Sequence, residues 1–284
     1  MPRQLVHRAA VAETLLTGWR RTGTDRFTVS AQWPRAHGLH VSQDWSSYDP
    51  LLVVETIRQS GTLITHAEYD VPLDHQFVLQ EFHVRTALGR LGVGPLPAEP
   101  EVDLVFTDLQ YRGRRPAAAR YTAHVLREGD RVATADVAFT CVSGPVYRRL
   151  RGGRTPDTVT AVPVPPGLPA ASVDRALASD VVLAATDRPA RWQLRVDTAH
   201  PVFFDHPLDH VPGMLLLEGA RQAARLRTGG GRAPVAYRAH FHRYAELDEP
   251  VWFEAQDGHG TDVRVRGVQG ESAVFECLVD TARR

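Results

Sequence analysis

The chain has 284 residues, 43% of them hydrophobic and 23% charged, and its 33 basic residues balance 33 acidic ones. That length suits two domains, each able to bury a core of its own. A formal net charge of zero gives nucleic acid or an anionic membrane nothing to bind by charge, so neither is expected as a partner.

Lysine and asparagine are both absent, which reads as coding bias and removes Lys from the candidate nucleophiles. Cys141 and Cys277 each lie in a strand-like run and are expected in the core as small hydrophobes. No CxxC or HExxH pattern occurs, so neither a metal nor another cofactor is anticipated. The opening MPRQLVHRAA lacks the apolar centre of a signal peptide, and no apolar run is long enough for a membrane span. A cytoplasmic protein is expected.

In chain order, His7 and Arg8 precede a short apolar stretch ending at Thr17-Gly18-Trp19. Residues 27–33 alternate as a half-buried strand does. Residues 34–48 read as a loop in which His37 and His40 are expected to be solvated. A buried helix is predicted from Leu51 to about residue 65, followed by strands over 66–86, 102–110, 117–127 and 131–142. Glu128-Gly129-Asp130 is the clearest hairpin signal among them. One helix followed by a run of strands is an α+β pattern, with an antiparallel sheet covering the helix. Residues 151–169 are rich in Pro and Gly and too poor in large apolar side chains for an element, which predicts a stiff linker. The expected division is therefore 1–150, a linker over 151–171, and 172–284.

The second part repeats the order. A short apolar element over 179–184 and a strand over 191–197 lead to a His-rich loop with His206, Asp209 and His210. Pro212 and Gly213 then open a helix that starts at Met214 and is stopped by Gly229, Gly230 and Gly231. Strands follow over 234–244, 251–256, 261–267 and 272–280. The helix is apolar nearly all round, as a buried helix is, yet Glu218 sits inside it with Arg221 and Gln222 on the same face. A carboxylate there is costly unless it is paired or used.

The two parts are copies of one unit. Residues 49–59, DPLLVVETIRQ, align without gaps on residues 212–222 at an offset of 163, pairing Glu55 with Glu218, Arg58 with Arg221 and Gln59 with Gln222. Val6-His7-Arg8-Ala9 likewise matches Val173-Asp174-Arg175-Ala176. Such an internal duplication predicts two structurally equivalent repeats.

A buried helix wrapped by an antiparallel sheet, entered through a His loop and Pro-Gly, resembles the hotdog fold. Phe203-Phe204, His206, Pro212-Gly213, Leu216-Leu217-Glu218 and Gln222 resemble the signature of the acyl-carrier-protein dehydratases. His206 lies only 12 residues before Glu218, closer than those enzymes hold the pair. Over nearly its whole length the chain is similar to the A-factor biosynthesis family, the γ-butyrolactone synthases of actinobacteria, which contain two hotdog repeats. The motifs are Val6-His7-Arg8, Leu16-Thr17-Gly18-Trp19, Ala31-Gln32-Trp33-Pro34-Arg35 and Glu55-Thr56-Ile57-Arg58-Gln59. In the second copy they are Phe204-Asp205-His206-Pro207, Asp209-His210-Val211-Pro212-Gly213-Met214 and Glu218-Gly219-Ala220-Arg221-Gln222.

The resemblance implies a double hotdog that transfers a β-ketoacyl group from a thioester, on acyl carrier protein or coenzyme A, to a hydroxyl of dihydroxyacetone phosphate. The ester then cyclises toward a butenolide, γ-butyrolactone or furan signal. It implies functional roles for Glu55, Glu218 and Arg221, and pairing of the two repeats within one molecule. For this chemistry, backbone N–H groups at Gly213 and Met214 are suited to an oxyanion. Glu218, with its pKa raised by burial, would serve as general base, and Arg221 would hold the phosphate. His206 would assist proton transfer, while Asp209, His210, Gln222 and Arg58 would contact substrate. A purely structural Glu218–Arg221 ion pair is the competing reading. The first copy lacks the HxxDHVPG loop and is expected to complete the second site or to hold the acyl chain. Two further readings stay open: a hotdog dehydratase or thioesterase using Glu218 and His206, and a non-catalytic acyl or lactone binder.

Overall fold

The computed structural model describes residues 1–283, and the chain divides into two compact units. One comprises Met1–Val41 and Trp45–Gly153, the other Ser42–Asp44 and Arg154–Arg284. The first contains strands β1 (Leu16–Gly23) and β2 (Arg26–Ala31), helix α1 (Pro50–Ala67), then β3 (Gln76–Thr86), β4 (Glu101–Arg112), β5 (Arg115–Arg127) and β6 (Asp130–Val142). A short helix α2 (Gly144–Leu150) closes it. The second contains β7 (Leu183–Ala185), β8 (Arg191–Leu194), helix α3 (Gly213–Arg227), β9 (Arg232–Phe241), β10 (Trp252–Asp257), β11 (Asp262–Gln269) and β12 (Ser272–Arg283).

All pairings within each unit are antiparallel. The order is β1-β2-β4-β5-β6-β3 in the first and β7-β8-β10-β11-β12-β9 in the second, which is one topology used twice. In each, the central helix packs against the strands of its own sheet. Expectation and structure agree on this architecture.

Helix α1 starts where Asp49 caps it, its carboxylate accepting from Leu51 N at 2.8 Å, with Pro50 in the first turn, where a missing N–H costs nothing. Nearly every residue from Leu51 to His66 is buried. Its hydroxyls are satisfied inside the helix: Thr56, Ser60, Thr62 and Thr65 each donate to the carbonyl four residues back. Helix α3 ends as anticipated, with Gly229 and Gly230 at φ 68° and 84°. The β5–β6 hairpin turns through Glu128 and Gly129 at φ 55° and 83°, the two positive values of a type I′ turn.

The structure departs from the sequence reading at several points, and the strand expected over 191–197 ends at Leu194. The strand expected over 66–86 begins only at Gln76, because α1 continues to Ala67 and residues 68–75 turn the chain back. Strand β1 escaped the sequence reading because it is mostly exposed, so LTGWRRTG shows no buried alternation. Helix α2 was not anticipated. Residues 151–169 form no helix or strand, yet they are tethered: Val162 N donates to Leu247 O, Leu168 N to Leu183 O, and the Arg195 guanidinium to Pro165 O. No helix among the described residues is long and apolar enough to cross a membrane.

Candidate active site

The face of α3 that carries Glu218, Arg221 and Gln222 is sealed. Arg175 arrives from the turn after residues Ala170–Val173, where Asp174 takes a left-handed conformation at φ 59°. Its Nε donates to Glu218 Oε1 at 2.8 Å and its Nη2 to Oε2. Arg221 approaches from the helix itself, donating from Nε to Oε2 at 2.8 Å and from Nη2 to Oε1 at 3.0 Å. Gln222 completes the shell by donating to Oε1 at 2.5 Å and to Asp180 O at 2.7 Å, while its own oxygen accepts from Val182 N.

This geometry reverses the expected charge state. Burial by itself raises the Glu218 carboxyl, but the Arg175 and Arg221 guanidiniums outweigh it and hold the pKa at about 2. A carboxylate so stabilised, with both oxygens committed to donors, is a weak base near neutral pH. Arg221 is equally committed. Its side chain is only 4% exposed, and Nη2 also donates to Val173 O. The pair has the geometry of the ion pair named as the competing reading, and Gln222 braces it from within.

The first repeat builds the same device. Arg8 Nη2 and Arg58 Nη2 each donate to Glu55 Oε1 at 2.7 Å, Arg58 Nε to Oε2 at 2.8 Å, and Gln59 to Oε1 at 2.7 Å. Gln59 also bonds Glu13 O and accepts from Leu15 N, as Gln222 bonds Asp180 O and Val182 N. Burial raises the Glu55 carboxyl, and Arg58 and Arg8 overcome it, holding it well below the usual carboxylate range. Arg8 and Arg175 are not anticipated by the helix spacing. Their signal is the shared VHRA and VDRA segments.

One further pair is duplicated. His37 Nε2 lies 3.3 Å from Glu13 Oε1, and His200 Nε2 lies 3.2 Å from Asp180 Oδ1. Each Nδ1 accepts two backbone N–H groups, from Leu39 and His40 or from Val202 and Phe203. Nδ1 is therefore unprotonated, and Nε2 carries the proton given to the carboxylate. His37 and His40 are packed, not solvated, and His40 is fully buried.

The loop ahead of α3 is of a different kind. Asp205 is 1% exposed in its side chain and holds His206 Nδ1 at 2.6 Å, leaving a ring that is 38% exposed. Asp209, also buried, holds His210 Nδ1 at 2.7 Å, and Tyr244 meets the His210 ring edge-on. Gly213 and Met214 occupy the first turn of α3, where N–H groups have no intrahelical acceptor. Neither His206 nor His210 bonds Glu218, whose partners among the described residues are Arg175, Arg221 and Gln222. The dehydratase-like His–Glu pairing is not formed.

The first repeat has a feature of its own. A cavity of about 100 Å³ opens between α1 and the sheet, lined by Arg58, Gly61 and Thr62, by His7, and by Phe77, Leu79, Tyr121, Val137 and Phe139. His7 Nε2 lies 2.7 Å from His66 Nε2, and His66 Nδ1 lies 2.7 Å from Val71 O. A carbonyl only accepts, so His66 is protonated on Nδ1 and His7 donates from Nε2 to His66. Burial lowers the His66 pKa and keeps that ring neutral. Among the described residues, no cluster of three or more His, Cys, Asp or Glu is placed to hold a metal. Both cysteines are free and buried, and burial pushes the Cys141 thiol up to about 12.

The A-factor biosynthesis hotdog domain matches residues 1–143 and again 157–277. A 2-oxo-3-(phosphooxy)propyl 3-oxoalkanoate synthase of Streptomyces virginiae is 49% identical over 99% of this chain and 97% of its own length. The synthase of the same name from Streptomyces griseus is 41% identical over 99% of this chain and 95% of its own. Among solved structures, the 12:0-ACP thioesterase from Umbellularia californica superposes at a TM-score of 0.56, with 11% identity over 91% of this chain and 98% of that one. An acyl-ACP thioesterase from Bacteroides thetaiotaomicron gives the same score at 12% identity, a likeness of fold alone. Matched twice along its length and 49% identical to a relative end to end, the chain belongs to the A-factor biosynthesis hotdog family.

Proposed function

We propose that this protein transfers a 3-oxoacyl group from a thioester to the hydroxyl of dihydroxyacetone phosphate, forming a 2-oxo-3-(phosphooxy)propyl 3-oxoalkanoate. The observation that carries the reading is the end-to-end match to synthases of that name, 49% and 41% identical over 99% of the chain. An acyl carrier protein is the proposed donor. A phosphorylated acceptor does not cross a membrane unaided, which suits a cytoplasmic reaction. The repeats are assigned to 1–150 and 172–284, with 151–171 joining them.

The site we assign is the loop before α3. His206, oriented through Nδ1 by the buried Asp205, takes the hydroxyl proton on Nε2. The acceptor oxygen attacks the thioester carbonyl, and its oxyanion meets the N–H groups of Gly213 and Met214 at the start of α3. Collapse breaks the C–S bond, and the imidazolium returns the proton to the leaving thiolate. His210, braced by Asp209 and Tyr244, is assigned to the acceptor phosphate. The Glu218–Arg175–Arg221–Gln222 cluster supports this loop and helix without touching the reacting atoms.

The test is mass spectrometry of the products from a 3-oxoacyl thioester and dihydroxyacetone phosphate, with wild type beside His206→Ala. The expected result is the phosphorylated ester from wild type and a rate about 10²- to 10⁴-fold lower in the variant, with melting unchanged because the ring is exposed. Free 3-oxo acid without ester would make the protein a thioesterase, and an unimpaired variant would move the base elsewhere.

A further inference from the structure

The cavity of the first repeat lies outside the loop just described, and every residue that lines it belongs to that repeat. Its polar lining is Arg58, Thr62, His7 and Tyr121, and the rest is an apolar wall with Phe77 and Phe139 as its aromatic part. Three of the four polar groups have already given their proton. The Thr62 hydroxyl donates to Arg58 O at 3.0 Å, the Tyr121 hydroxyl to Ile57 O at 3.2 Å, and His7 Nε2 to His66. Arg58 differs. Its Nε and Nη2 go to Glu55 and Val6 O, and among the described residues its Nη1 takes no hydrogen bond. Glu55 is its one acidic partner among those residues, and Glu55 serves Arg8 as well.

The second repeat fills the corresponding place with charges of its own. There His7 becomes Asp174 in the same left-handed turn, at φ 52° and 59°, and Thr62 becomes Arg225. Arg225 Nη2 lies 3.6 Å from Asp174 Oδ1, and Arg225 Nη1 donates to Gly230 O. That repeat therefore sets a carboxylate and a guanidinium at the two positions where the first has an imidazole and a hydroxyl. In the first repeat a guanidinium borders the space, on Arg58, and no carboxylate among the described residues is set against its Nη1.

We propose that this cavity binds a short-chain carboxylate, with the carboxylate on Arg58 Nη1 and the alkyl carbons against the apolar wall. A donor that carries a full charge favours an anion over a neutral carbonyl, and no other polar group of the lining has a proton left to offer a neutral ligand. The apolar wall selects against inorganic anions, which satisfy the cation and leave that surface without a partner. Size sets the chain length. A cavity of about 150 Å³ takes benzene, so the present volume of about 100 Å³ encloses roughly four heavy atoms. That is a propyl tail and little more, which makes butyrate the matching ligand. The site needs nothing from the loop before α3, so the inference stands apart from the acyl-transfer reading.

The test follows binding of butyrate to the full chain by saturation-transfer NMR on its methyl signal, with acetate, butyramide and inorganic phosphate as competitors. Wild type is expected to bind butyrate and to be displaced by acetate about 10-fold less well, for the two methylenes that acetate does not bury. Butyramide has the tail without the charge and phosphate the charge without the tail, so both are expected to compete weakly. Arg58→Gln is expected to weaken butyrate about tenfold or more. Because Arg58 also braces Glu55, a second variant decides if that one does not fold. His7→Asp with Thr62→Arg copies the pair with which the second repeat fills this place, and is expected to melt near wild type and to give no butyrate signal. A wild type without a butyrate signal overturns the inference. So does a signal intact in the folded double variant, or competition by butyramide or phosphate equal to that of butyrate itself. Ester synthesis is not read in this experiment, so its outcome and that of the His206→Ala test are separate.

Discussion

The two repeats carry one buried cluster in two different settings. In the second, Glu218 and Arg221 are closed off, with Arg221 4% exposed and the neighbouring gap bridged by Arg225 and Asp174. In the first, Arg58 is 25% exposed and borders a cavity. The residue types agree and the bonds nearly so, but the access differs. The cluster is common to both repeats, and what differs around it is the space beside it. A glutamate in a buried helix catches the eye as catalytic, yet in both repeats its oxygens are engaged by two guanidiniums, one from the helix and one from outside it.

The largest effect that would break this comparison is on stability. Glu218→Ala leaves two guanidiniums buried without their carboxylate, which is expected to cost about 3–5 kcal/mol. Glu55→Ala is expected to cost less, about 1–3 kcal/mol, because Arg58 can turn toward water while Arg221 cannot. Melting curves of both variants check this. Equal melting temperatures would mean that the settings do not differ as described. Loss of ester synthesis in Glu218→Ala would accordingly report a lost fold before a lost base, so activity of that variant must be read beside its melting curve.

Acid sharpens the comparison. Glu218, held at about 2 against roughly 4.3 in an unfolded chain, gives stability that is present above pH about 4.3 and lost as pH falls through the folded value. Both repeats share that window, since Glu55 is also depressed. The first repeat has an earlier one: burial lowers the His66 pKa, so the unfolded state binds more protons there once pH falls below about 6.5. His66 has Gly229 as its counterpart. Hydrogen exchange of α1 and α3 peptides at pH 7.5, 5.5 and 3 is expected to show α1 losing protection first. Simultaneous loss in both helices would remove His66 as the cause.

Much of this is legible in the sequence alone. The 3.6-residue pattern, the Asp49 and Pro50 start, the glycine stop after Arg227 and the in-register match of 49–59 with 212–222 carry the fold, because each is a local signal or an exact repeat. The cluster was half legible: Glu, Arg and Gln share a helix face by spacing, but the second guanidinium comes from Arg8 or Arg175, more than 40 residues away in sequence, as the contact separations of 47 and 43 residues show. Without that partner, burial alone decides the sign of the pKa shift and points the wrong way. The His37–Glu13 and His200–Asp180 pairs were hidden for the same reason. Strand β1 was hidden because an exposed edge has no alternation to read.

The smallest effect concerns one methyl group in each helix. Gly61 and Ala224 are equivalent positions, and a Cβ added at Gly61 would lie 2.5 Å from Tyr121 Cζ and its hydroxyl oxygen. Tyr121 cannot swing aside cheaply, because it is buried and its hydroxyl donates to Ile57 O at 3.2 Å. Gly61→Ala is therefore expected to cost about 1–3 kcal/mol through overpacking, despite the gain in helix propensity. Ala224→Gly, where the methyl is already accommodated and buried, is expected to cost about 1 kcal/mol, mostly in propensity. Melting curves of the two variants check this. A Gly61→Ala protein that melts at or above Ala224→Gly would mean that Tyr121 gives way and that the two helices are packed with equal slack at this position.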